Sequence, residues 1–226
     1  MTGNPPPLPR RLPVKGAAIL PWPVAMLLVI NILPELVLQL ADRGIIATPW
    51  LRTAVYALGA FQPDLMIKHG AFFFGQSLTM FFTYGVLHTG MTHLVINMIG
   101  LAWLGRWVLQ YRSSETFLTF YLLATVGAAE AFALIGPGAG MMVGASGALF
   151  GLMGLYLADS GLLTPRTDAW HSLMGRIIGA TAALILSDIA SSALLGNPVA
   201  WQAHAGGFLT GAALGLIYPP RQPRRA

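Results

Sequence analysis

Long apolar runs with almost no charge in them restrict this chain more than any other feature. Six can be read, at residues 24–41, 86–109, 116–136, 144–160, 173–195 and 202–218, separated by one long connection at 42–85 and otherwise by short segments. Each approximates the ~20 residues that a helix needs to cross the hydrocarbon of a bilayer. Only 9% of the residues are charged, against about a quarter in an ordinary soluble domain. In lipid a spanning segment must satisfy its own backbone groups, so the expectation is an all-α membrane protein, an integral multi-pass bundle of six transmembrane helices.

The charges that remain lie mainly between and outside the runs. The net charge is +5, yet no basic stripe interleaved with aromatics appears, so nucleic acid is not an expected partner and the bilayer is. With the N-terminus placed in the cytoplasm, ten Lys and Arg residues from Arg10 to Arg225 fall inside, while Arg43, Arg52 and Lys68 fall outside. Both termini are therefore predicted cytoplasmic. The start shows no cleavable signal, which makes the first run a signal anchor. A short tail without a transit peptide favours a prokaryotic cytoplasmic membrane. The expected organisation is a Pro-rich basic tail at 1–21, a membrane domain at 22–218 and a basic tail at 219–226. The chain has no cysteine, which removes disulfides, thiolate metal sites and cysteine nucleophiles.

The connection at 42–85 is too apolar for a plain solvated loop, with Trp50, Leu51, Val55, Leu58 and Phe72-Phe73-Phe74. An interfacial, partly helical outer element is expected. The alternative is a seventh or re-entrant span, although Pro49, Pro63, Asp64 and Lys68 interrupt every sufficient stretch. The fourth and sixth runs carry Gly147-x-x-x-Gly151 and Gly207-x-x-x-Gly211, small residues that let backbones approach closely, so these two helices are expected to pack near the centre.

Polar groups inside spans are costly unless a partner or a wet cavity receives them, which makes them the informative ones. Ser146 opens the fourth run between Gly144 and Gly147. Small neighbours leave its hydroxyl approachable, and N–H groups at a helix start can stabilise an oxyanion; alone, it reads more readily as a small packing residue. His204 opens the sixth run and supplies a base if the two helices touch, or else a hydrogen bond within a helix interface. His93 and Asn97 stand four apart on one helix face, which suits an oxyanion hole or plain interhelical hydrogen bonding. The three places share a depth toward the outer face. A metal site through His88, His93 and His204 is disfavoured, because the spacing lacks two histidines on one face with the glutamate of a zinc protease. Glu35, Glu130 and Asp188 read as structural hydrogen-bonding groups more readily than as a third catalytic member or a proton relay. His69 and His171 belong to loops and carry no discernible role.

Taken together, the His88/His93/Asn97 segment, Gly144-Ala145-Ser146-Gly147, and Ala203-His204-Ala205-Gly206-Gly207 through Gly211 resemble the rhomboid family of intramembrane serine proteases, in the family's order and in the right spans. The resemblance covers about residues 22 to 218. It implies a rhomboid-like bundle with Ser146 as nucleophile and His204 as general base and acid, a dyad without an acidic member. His93 and Asn97, with backbone N–H groups near Ser146, would form the oxyanion hole, and His88 would support the outer connection. A shallow water-filled cavity open to the outer side would admit substrate.

Two departures stand out. Well-known bacterial members often carry Trp-Arg where this chain has Thr79 and Met80, and often Tyr where it has Phe150. The first puts the anchoring of the outer connection in doubt; in the second, a phenyl ring can still pack on the His204 imidazole. The resulting expectation is a serine endopeptidase, without cofactor or metal, cleaving membrane-protein substrates in or beside their transmembrane segments. The rivals are a catalytically inactive rhomboid-like protein that binds membrane clients, and a transporter, for which the two repeated halves are not visible.

Overall fold

A computed structural model of the chain describes residues 20–46, 49–67, 70–136, 140–160 and 200–220, with four single positions between 186 and 193. Most of the expected span at 173–195, including Asp188, the loop histidines His69 and His171, and most of both tails lie outside the described residues. The named elements are helices throughout: α1 Trp22–Asp42, α2 Leu51–Gly59, α3 Asp64–Ile67, α4 Gln76–Thr83 continuing into a 3-10 turn Tyr84–Val86, α5 Met91–Val108, α6 Ser114–Ile135, α7 Ser146–Asp159 and α8 Trp201–Ile217.

The helices are apolar outside as well as inside. On α1, Val24, Leu27, Asn31, Glu35 and Leu38 face inward at steps of three or four, whereas Trp22, Val29, Leu33, Leu36 and Val37 are exposed. A soluble helix would place polar residues on that outer stripe; here it is a lipid-facing surface. The polar pair Asn31 and Glu35 is the part turned inward, as the cost of exposing such groups to hydrocarbon requires.

By length and composition α1 and α6 are each able to cross a membrane. The run expected to begin at residue 86 differs from expectation. Its helix starts at Met91, and α4 with its 3-10 continuation precedes it across a break, bent by 83°. Gly90 closes that break with φ +146, a backbone conformation that favours glycine. His88 therefore sits in the break and not inside the span. The six-span count is not matched by long helices alone, since α7 has 14 residues and α8 has 17.

These two short helices are the most closely packed pair among the described elements. A Cβ added to Gly207 would collide with the Gly147 carbonyl oxygen, and one added to Gly211 with that of Gly151. The glycines expected from the sequence to allow close approach thus face each other in register, one turn apart on each helix. α7 also packs on α5 and α6, and α6 on α8, so α7 is the central element. At the ends of α5 and α7 away from Ser146, the buried Arg112 and Asp159 form a bidentate ion pair.

The outer connection is built rather than loose, in α2, α3 and α4. The buried Gln76 amide donates to the Ala57 carbonyl at 2.6 Å, and the Thr83 hydroxyl to that of Gly59 at 2.7 Å. Phe61 and Met142 exchange both backbone hydrogen bonds at 2.9 Å, tying the connection to the segment that leads into Ser146.

Candidate active site

Ser146 is the first residue of α7, and His204 lies in the first turn of α8. Because Gly147 and Gly207 bring these helix starts together, the Ser146 hydroxyl oxygen and His204 Nε2 stand 2.8 Å apart, within hydrogen-bonding distance. His204 is buried, at 4% exposure, and Ser146 is half-buried. One turn further along α7, the Phe150 ring stacks on the imidazole, centroids 4.2 Å apart with 24° between the planes. The face of the base is held by carbon, while its edge meets the serine.

Opposite this pair stands α5. The strained Gly144, with φ +128, lets the backbone pass against the His93 ring: a Cβ there would lie 2.7 Å from Cε1 and 2.9 Å from Nε2. That same point is 3.8 Å from the Ser146 hydroxyl oxygen, so His93 Nε2 and the serine border one small space. The other ring nitrogen, Nδ1, accepts the Thr89 backbone N–H at 3.4 Å, with the Thr89 hydroxyl at 3.1 Å. A backbone N–H only donates, and a neutral imidazole has one donor and one acceptor nitrogen. This hydrogen-bond pattern assigns the proton to Nε2, on the side of Ser146.

Asn97 is buried, and its amide nitrogen donates to the His93 carbonyl at 2.9 Å, which engages one of its two N–H bonds. The backbone N–H groups of the first turn of α7 have no acceptor within their own helix. Ser146, His204, His93, Asn97 and Phe150 all line a single cavity of about 440 Å³, whose other walls include Tyr56, Tyr84, Ile96, Trp103 and Met153. It sets a hydroxyl within hydrogen-bonding distance of an imidazole, beside several N–H donors, in a pocket whose walls are mostly apolar.

The remaining sequence candidates fall elsewhere. Glu35 is fully buried but faces the outer connection, paired with Arg52 at 2.9 Å. Glu130 is exposed on α6 and does not line the cavity. The His88 ring is buried and packs edge-on to His93, centroids 5.1 Å apart. Met80 is buried in the core of the outer connection, while Thr79 is exposed.

Two groups escaped the sequence reading. Arg52 was counted only as an outer charge, yet it donates to Glu35, Asp42, Tyr56 and the His88 carbonyl. Partial burial works against its charge, and the bonds to Glu35, Asp42 and Tyr56 outweigh it, holding the guanidinium above its ordinary value. Asp159 was passed over at the end of its run, where its partner Arg112 is 47 residues away. An acidic residue inside a span, with an arginine just beyond the next span inward, was the available signal.

The Rhomboid domain family model matches residues 75–221. RHOMBOID-like protein 1 of Arabidopsis thaliana is 31% identical over 137 residues, 61% of this chain and 33% of that protein. Rhomboid protease GluP of Bacillus subtilis is 34% identical over 134 residues, 58% of this chain and 25% of that protein. RHOMBOID-like protein 5 of Arabidopsis thaliana is 31% identical over 132 residues, 58% of this chain and 41% of that protein. The matched region thus spans well under half the length of each relative. With a family model covering most of the chain and the paired helix starts it brings together, this integral membrane protein belongs to the rhomboid family.

Proposed function

We propose that the chain is an intramembrane serine endopeptidase that cleaves peptide bonds in or near the transmembrane segments of other membrane proteins. The observation that carries the reading is the 2.8 Å approach of the Ser146 hydroxyl to His204 Nε2 inside the cavity. In this reading His204 takes the hydroxyl proton as Ser146 attacks the scissile carbonyl. The oxyanion that forms is met by His93 Nε2–H, the second Asn97 N–H and the first-turn N–H groups of α7. His204 then returns the proton to the leaving amine, and an acyl-serine remains. Water, deprotonated by the same histidine, attacks the ester, and the carboxylic acid leaves as Ser146 regains its proton.

The length of α7 supports a site below the membrane surface. At 1.5 Å per residue, the 14 residues of α7 span about 21 Å against a hydrocarbon thickness of ~30 Å. A helix that short cannot reach both membrane surfaces, and in this reading the shortfall lies at the Ser146 end, with the cavity open to the outer side. The reading includes six spans, the fifth at 173–195, and cytoplasmic termini by the Lys and Arg distribution.

A fluorophosphonate or isocoumarin probe tests the reading on wild type, Ser146→Ala and His204→Ala in detergent. Labelling of wild type alone is expected. Labelling that survives Ser146→Ala overturns the nucleophile, and a folded wild type that takes no label favours an inactive, client-binding member of the family.

A further inference from the structure

The peptide unit between His88 and Thr89 is gripped at both ends. Its carbonyl accepts from Arg52 Nη1 at 3.0 Å and from the Tyr56 hydroxyl at 2.5 Å. Its N–H donates to His93 Nδ1. No cis peptide is present among the described residues, and in a trans unit C=O and N–H point in opposite directions. One rigid plane therefore lies between α2 of the outer connection and the ring facing Ser146.

We propose that Arg52 is a positioning residue for the oxyanion donor: through the His88–Thr89 peptide it keeps the His93 proton on Nε2, aimed at the space beside Ser146. The inference rests on the proposed protease reading for its catalytic consequence, but not for its tautomer. A guanidinium and a phenol bound to the carbonyl polarise the amide and make its N–H a stronger donor. A stronger donor at Nδ1 disfavours a proton there, which leaves Nε2–H as the neutral form. Arg52 itself is held by the fully buried Glu35 and by Asp42, so its fork is fixed before it reaches the carbonyl. The break at residues 87–90, unexpected from sequence, is what presents this peptide edge-on to His93. Here Arg52 anchors the outer connection in a chain that carries Thr79 and Met80 where other members often have Trp-Arg.

The test compares wild type, Glu35→Gln and the double variant Glu35→Gln/Arg52→Gln, the last designed to leave no unpaired charge buried. Each is reconstituted in vesicles with 15N-histidine, and His93 is identified by the signal lost in His93→Gln. Thermal unfolding confirms that each variant is folded. Wild type and Glu35→Gln are expected to carry the proton on Nε2. The double variant is expected to show a mixture of tautomers and a kcat lower by roughly tenfold, less than the ~10²–10³ of losing an oxyanion donor outright because part of the population keeps Nε2–H, with KM for a transmembrane peptide within about twofold. A double variant with an unchanged tautomer overturns the proposal, whether or not kcat falls. If wild type hydrolyses nothing while the double variant still shifts the tautomer, the protease reading fails and the positioning role stands.

Discussion

Phe150 lies face to face with the imidazole of His204, ring centroids 4.2 Å apart, at the position where many members of the family carry tyrosine. The contact fixes the ring plane so that Nε2 points to Ser146. Stacked aromatic pairs contribute about 0.5–1.5 kcal/mol beyond their buried area. Phe150→Ala is therefore expected to lower kcat by about 2- to 10-fold, and Phe150→Tyr to retain it, in steady-state cleavage of a transmembrane peptide. Equal losses in both variants would assign the residue a role other than stacking.

His93 and Asn97 are expected to act in the transition state and not in substrate binding. Removing one oxyanion donor costs about 10²–10³ in kcat in a well-studied serine protease. His93→Ala and Asn97→Ala should each lower kcat on that order with KM nearly unchanged, while Ser146 is still labelled slowly by a fluorophosphonate. A change confined to KM would contradict the assignment.

The packing of α7 on α8 carries a sharper structural prediction. A side chain at Gly207 or Gly211 meets a backbone carbonyl of the opposite helix, which cannot move aside as a flexible side chain can. Gly211→Val is expected to lower stability by about 3 kcal/mol, the upper end of the range typical of overpacking, and to separate Ser146 from His204. Thermal unfolding in detergent and probe labelling should fall together.

The Arg112–Asp159 pair predicts stability without chemistry. Breaking a buried pair by removing one partner costs about 3–5 kcal/mol, because the other charge stays buried. Asp159→Asn and Arg112→Gln should each lower the unfolding midpoint, and Arg112→Met/Asp159→Leu should recover much of the loss. Turnover per folded molecule should stay near wild type, since neither residue lines the cavity.

How far the sequence could be read depended on the distance over which each interaction acts. Ser146, His204, His93 and Asn97 were legible because each marks a helix face or a helix start, and the glycine pairs because their four-residue spacing survives into the packed interface. The start of α5 was not legible: Leu87 prolongs the apolar run through a turn that only the φ of Gly90 ends. Arg52 and Glu35 are 17 residues apart, and Arg52 and His88 are 36 apart, so no local pattern links them. Asp159 is hidden for the same reason, its partner lying 47 residues earlier, before the start of the preceding helix α6. Tertiary ion pairs fixed by loop geometry leave only a charge in the sequence, and a charge near a span end has an ordinary topological explanation.

The central claim is that Ser146 and His204 hydrolyse a peptide bond within the membrane. It is tested most directly by reconstituting the purified chain in vesicles with a tagged single-pass substrate and mapping the products by mass spectrometry. The account predicts one or a few cuts in or beside the substrate's transmembrane segment, abolished in Ser146→Ala and in His204→Ala. Cleavage that persists in folded Ser146→Ala, or no cleavage of any substrate in a broad panel by wild type, would contradict it.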